Sequence, residues 1–114
     1  MNTIRYELAA DGIATLTHDA PGAPVNTMTE QWQADLAEAV ARVEADKERI
    51  KGVLVTSAKK TFFAGAQLDN VLKLKAEDAA AGFKGIEAMK ACFRRLETMG
   101  RPVVALLGGA ALGG

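Results

Sequence analysis

The sequence holds one cysteine, Cys92, and one histidine, His18. A lone thiol cannot close an internal disulfide, and by itself it cannot build a zinc site, so no metal is expected. Neither sign of charge is in excess: 14 basic residues balance 14 acidic ones, and the basic footprint of a nucleic-acid binder is missing. Residues 1–7 lack the apolar stretch of a signal peptide, and the longest apolar run, residues 103–114, is too short to span a bilayer. These absences lead to the expectation of one cytoplasmic globular domain, with neither nucleic acid nor a membrane span among its attributes.

Of the 114 residues present, 49% are hydrophobic, and they fall into short periodic segments. Apolar and polar residues alternate on both sides of Asp11-Gly12, which predicts a hairpin ending at His18. No serine, cysteine or second histidine lies close to His18 in sequence, so a structural role at the strand end is expected of it. Pro21-Gly22-Ala23-Pro24-Val25-Asn26 reads as a loop, and Thr27 with Glu30 has capping-box spacing for a helix. Trp32, Leu36, Val40 and Val43 then share one helical face, which makes Trp32 a core residue.

The β-branched segment 52–56 predicts a strand buried on both faces. A helix over about 77–99 carries Phe83, Ile86, Met89 or Lys90, Phe93 and Leu96 as its apolar stripe, with Cys92 as a small packing residue. Gly100 stops it, and residues 103–107 read as a further strand. Two strands, helix, strand, helix, strand is an α/β order with crossover connections and parallel strands.

In such sheets ligands gather at the carboxyl ends of strands, and two small-residue loops fall there. One is Phe62-Phe63-Ala64-Gly65-Ala66-Gln67-Leu68; the other is Gly108-Gly109-Ala110-Ala111-Leu112-Gly113-Gly114. Neither offers an acid or a base. Both offer backbone N–H groups, and a pair of converging donors is what stabilises an oxyanion as charge develops on it. Lys59 and Lys60 precede the first loop as either a phosphate contact or a solvated pair. Gly109, Ala111 and Gly114 also approximate a dinucleotide-binding glycine pattern, but that pattern needs an acidic residue about 20 positions further on, and the sequence stops first.

The first loop resembles one signature of the crotonase (enoyl-CoA hydratase/isomerase) family, and Arg101-Pro102-Val103-Val104-Ala105 with Gly109 to Gly114 resembles the second. The helix bearing Ile86-Glu87-Ala88-Met89-Lys90 and Phe93-Arg94-Arg95-Leu96-Glu97 is most similar to the hydratase half of bacterial multifunctional fatty-acid oxidation proteins. The resemblance implies a crotonase-like β-β-α superhelix, of which residues 1–114 form the N-terminal portion, ending inside the second loop. It implies an enoyl-CoA hydratase in which the N–H groups of Ala66 and Gly114 hold the thioester oxygen, while Ala64, Gly65, Ala66 and Leu68 line the substrate site. Coenzyme A enters as part of the substrate, with no separate cofactor, and a homo-oligomer is expected. Gln67 stands where the family commonly has Asp, and the family's two proton-transferring glutamates fall beyond Gly114. The 114 residues alone are therefore expected not to turn over. The remaining readings are an isomerase or another acyl-CoA enzyme of the family, an acyl-CoA-binding module, or a fragment.

Overall fold

The computed structural model describes residues 1–113. Strands β1 (Ile4–Leu8) and β2 (Ile13–His18) form the expected antiparallel hairpin around Asp11-Gly12, with Ile4 opposite His18 and Leu8 opposite Ala14. The Asp11 carboxylate closes the turn by accepting from the Ile13 N–H at 3.1 Å.

Helix α1 (Glu30–Ala45) starts two residues later than the Thr27 spacing suggests. Thr29 is the cap, its hydroxyl accepting from the Trp32 N–H at 3.1 Å, because residues 26–28 are held extended alongside residues 64–66. The expected face is the one buried: Trp32, Leu36, Val40 and Val43 join Leu16 and Ile50 in the core. Asp35, on the same face, is buried too, and its carboxylate accepts from the Asn2 and Thr3 N–H groups, the Thr3 hydroxyl and the Gln31 amide. That acidic hub fastens the N-terminus to α1.

Strand β3 (Gly52–Ser57) runs parallel to β2, with Ile13 level with Gly52 and His18 level with Ser57. Helix α2 (Leu68–Leu72) and helix α3 (Ala79–Thr98) lead to strand β4 (Val103–Ala105), parallel to β3. The sheet order is β1-β2-β3-β4, so the outgoing ends of β3 and β4 are neighbours.

Two expectations about burial change. Val53 of β3 is buried, but Leu54 and Thr56 are half-buried on the sheet face that nothing among the described residues covers, and Val55, on the same face as Val53, is half-buried because it borders a cavity with Phe62 and Phe93. On α3 Cys92 and Leu96 are buried and Met89 is half-buried, with Met99 buried just past the helix end, while Phe83, Ile86 and Phe93 stay exposed. The helix docks through a stripe that leaves Phe83 and Ile86 outside, while Phe93 borders it and faces Trp32 across the cavity. Among the described residues, no helix is long and apolar enough to cross a membrane.

Candidate functional site: the two loops at the strand ends

The first loop is held from both sides. On one flank the Ala64 N–H donates to the Asn26 carbonyl at 2.8 Å, and the Met28 N–H donates to the Gly65 carbonyl at 2.9 Å. On the other, the Phe62 N–H donates to the Ala110 carbonyl at 2.8 Å and the Leu112 N–H to the Phe63 carbonyl at 2.9 Å. Isolated parallel bridges pair Met28 with Ala66 and Phe63 with Ala111. The two loops singled out by their small residues are thus laced into one extension of the sheet.

Close approach explains the composition. Gly65 has φ +76°, and a Cβ there would stand 3.0 Å from the Leu112 carbonyl oxygen and 3.5 Å from the Gly113 Cα. An L side chain would be strained by the dihedral and pressed by the neighbouring loop. Gly65 is buried, while Ala66 beside it is exposed.

In the Met28–Ala66 bridge Met28 bonds through its own N–H, to the Gly65 carbonyl before Ala66, so the N–H of Ala66 itself points the opposite way. The Ala66 N–H accordingly has no acceptor among the described residues. Leu68 is 74% exposed and opens α2, which is only five residues long. A single short turn adds little of the positive potential of a longer helix start. Ala64 is half-buried between the flanks. Gly114, the other expected donor, lies outside the described residues, though Gly113 before it is within reach of Gly65.

Beside the loops is a cavity of about 300 Å³ lined by, among others, His18, Trp32, Phe63, Phe93, Ala111 and Gly113. Its walls are aromatic and apolar, and among the described residues no carboxylate lines it. His18 Nδ1 lies 3.2 Å from the Thr56 carbonyl; a carbonyl only accepts, so the proton is on Nδ1. Burial lowers the imidazole's pKa from its ordinary 6.5, against the opposing effect of that carbonyl. His18 is a neutral wall residue packed against Trp32, Phe62 and Phe63. A more open cleft of about 750 Å³ lies between the start of α1, α2 and α3.

The charged candidates are engaged elsewhere. Lys59 donates to the Ala20 carbonyl at 2.8 Å and pairs with Asp19 at 2.9 Å, so it staples the β2–α1 loop and does not face the cavity as a free cation. Glu87 pairs with Lys90, and Glu97 with Arg94, on the exposed side of α3.

Sequence reasoning passed over Asn26. It is 2% exposed, and its side chain joins four groups: Oδ1 accepts from the Ala20 N–H, and the two hydrogens of Nδ2 are shared among the His18 carbonyl, Ser57 Oγ and the Phe62 carbonyl, with Ser57 Oγ the nearest. An asparagine closing a Pro/Gly loop is an ordinary turn residue, and nothing in its spacing signals the distant Phe62.

An open-edged α/β sheet whose last two parallel strands deliver laced, small-residue loops defines the structural class, and solved structures share it. An enoyl-CoA hydratase from Thermoplasma volcanium superposes with a TM-score of 0.80 at 23% identity, covering 96% of this chain and 41% of that one. An enoyl-CoA hydratase/carnithine racemase from Magnetospirillum magneticum gives 0.80 at 27% identity, covering 99% and 41%. The fold is that of the N-terminal portion of a crotonase.

The family model for enoyl-CoA hydratase/isomerase matches residues 9–114, and the chain belongs to that family. A fatty acid oxidation complex subunit alpha from Shewanella frigidimarina is 39% identical over 105 residues, which is 91% of this chain and 14% of that one. The subunit of the same name from Psychrobacter sp. is 36% identical over 113 residues, 99% of this chain and 16% of that one. The chain therefore spans about a seventh of the length of the curated relatives it matches.

Proposed function

We propose that this chain carries the oxyanion-binding half of an enoyl-CoA hydratase site, as part of a fatty-acid oxidation subunit of the kind its relatives are named for. The observation that supports it is the Ala66 N–H, left without an acceptor at the edge of a loop fastened on both flanks. Adding water syn to a trans-2-enoyl thioester places hydroxyl on the β-carbon and a proton on the α-carbon. Negative charge builds on the thioester oxygen on the way. Donors fixed before the reaction stabilise that charge without reorganising, and losing one costs on the order of 100- to 1000-fold in rate. Ala66 supplies one donor and Gly114 the other, with Ala64, Gly65 and Leu68 lining the approach. Coenzyme A arrives with the substrate, the setting is cytoplasmic, and several copies assemble.

A cavity wall free of carboxylates among the described residues favours binding over turnover for these 114 residues by themselves. Isotope-edited infrared spectroscopy of bound crotonyl-CoA tests the reading. The thioester carbonyl stretch should move to lower frequency on binding, while the conjugated-enoyl absorbance persists. A carbonyl frequency equal to that in water would remove the oxyanion reading. Rapid loss of the enoyl absorbance would instead show that an acid and base are already present.

A further inference from the structure

The Asn26 side chain touches neither the Ala66 N–H nor the cavity, yet Asn26 bonds the first loop at two points. Its Nδ2 donates to the Phe62 carbonyl at 3.3 Å, four residues before Ala66, and its own carbonyl accepts from the Ala64 N–H at 2.8 Å. The same Nδ2 donates to Ser57 Oγ at 2.8 Å, and Ser57 Oγ in turn donates to the Thr61 carbonyl at 2.8 Å and accepts from the Lys59 N–H at 3.0 Å. Oδ1 accepts from Ala20 N–H at 2.9 Å, which ties the other end of the β2–α1 loop.

We propose that Asn26 is a positioning residue that sets the direction of the Ala66 N–H, with Ser57 as its relay into the β3–α2 connection. The inference rests on the oxyanion reading given above. Its logic is geometric. A single primary amide fixes the loop's entry at Phe62, the turn at Ser57 and the flanking segment at Ala20, and its backbone fixes Ala64. Two residues further on, the only direction left to the Ala66 N–H is away from Met28. Aspartate at this position keeps Oδ1 but removes both donors and sets a negative charge against the carbonyls of His18 and Phe62. Those groups are buried or nearly so, where an unpaired acceptor is costly and the loop is free to turn.

The test uses the whole chain with Asn26→Asp and Ser57→Ala. Affinities for crotonyl-CoA and for free CoA are compared by titration, together with the carbonyl stretch of bound crotonyl-CoA and the backbone amide resonances. Positioning predicts that Asn26→Asp keeps its affinity for free CoA but loses its preference for the thioester by about tenfold, the effect of one misaimed hydrogen bond. The carbonyl stretch should return toward its value in water, and the Ala64–Ala66 amides should shift. Ser57→Ala should do the same to a smaller degree. An unchanged carbonyl stretch overturns the proposal, as does an equal loss for CoA and crotonyl-CoA, which marks a structural role alone. If Asn26→Asp does not fold, an unchanged carbonyl stretch in Ser57→Ala overturns it. If the unsubstituted chain shows no carbonyl shift, the oxyanion reading fails, and unmoved Ala66 resonances in either variant overturn the Asn26 proposal separately.

Discussion

Gly109 crosses Lys60 so closely that a Cβ built on it would stand 1.9 Å from the Lys60 carbonyl oxygen and 3.2 Å from the Thr61 Cα. Backbone stands against backbone, so no side-chain rotation relieves the overlap. Gly109→Ala must therefore part the two loops. The expected cost is about 1–3 kcal/mol of stability, together with loss of crotonyl-CoA binding. Gly108 next to it has open space around its Cα, and Gly108→Ala should match the unsubstituted chain in urea midpoint and in binding. Equal behaviour of the two variants would show that the loops are not in contact.

The same contact shows what was legible in the sequence. The hairpin, the parallel crossovers and the pairing of the two glycine loops could be read from alternation, periodicity and small residues at strand ends. Those are local signals. The start of α1 at Thr29 was not legible, because residues 26–28 are drawn into pairing with residues 64–66, far along the chain. The docking stripe of α3 was legible in part: Met89, Cys92 and Leu96 pack as expected, but Phe83, Ile86 and Phe93 share the period and stay exposed, since a period identifies an apolar face without saying what meets it. Asn26 was hidden for the same reason as Thr29. Its role lies in partners 31 and 36 residues away.

Acid should destabilise the fold in two stages. Burial lowers the His18 pKa below its ordinary 6.5, so below that value the unfolded chain binds a proton that the folded chain refuses. Stability is then full above about 6.5 and declines as pH falls beneath it. Asp35 follows at lower pH. Burial alone would raise its pKa, but the combined bonds from Thr3, Gln31 and Asn2 outweigh that and hold it below 3.8. Its contribution is present above 3.8 and is lost as pH drops through the folded-state value. Urea midpoints measured against pH should fall in both ranges, and His18→Gln should remove the first decline while leaving the second. A first decline that persists in His18→Gln would assign it to another group.

Tyr6 reports on the junction between β1 and the end of α1. Its hydroxyl donates to Asp46 Oδ2 at 2.6 Å, and its pKa is pushed up to about 12, first by burial and then by that carboxylate. Folding thus favours the neutral phenol, and its contribution is fully present below pH 10 and lost as pH rises toward 12. This is the one tyrosine of the chain, so phenolate absorbance reads it without overlap from another. The midpoint should move back toward 10 in Asp46→Asn, and Tyr6→Phe should cost about 1–2 kcal/mol in urea unfolding. A midpoint of 10 in the unsubstituted folded chain would mean the contact is not formed.

The exposed apolar residues give the last prediction. Phe83, Ile86 and Phe93 on α3, Val104 on β4, and Leu106 and Leu107 after it are all at least 45% exposed. Scattered apolar residues on a surface are ordinary, but these fall on one helix, on the edge strand β4 and on the segment after it, and β4 also offers unpaired backbone groups. Such a surface lowers its free energy by meeting another, at about 25 cal/mol for each Å² of apolar area removed from water. The isolated chain should therefore sediment as a species that grows with concentration. Val104→Lys and Leu106→Lys place charge on the edge strand and on the segment after it without touching the buried residues of α1. Together they should return the chain to a monomer of 12.0 kDa with its urea midpoint little changed. A monomer at every concentration in the unsubstituted chain would show that the exposed residues do not drive association, and persistence of the larger species in the double variant would place the contact elsewhere.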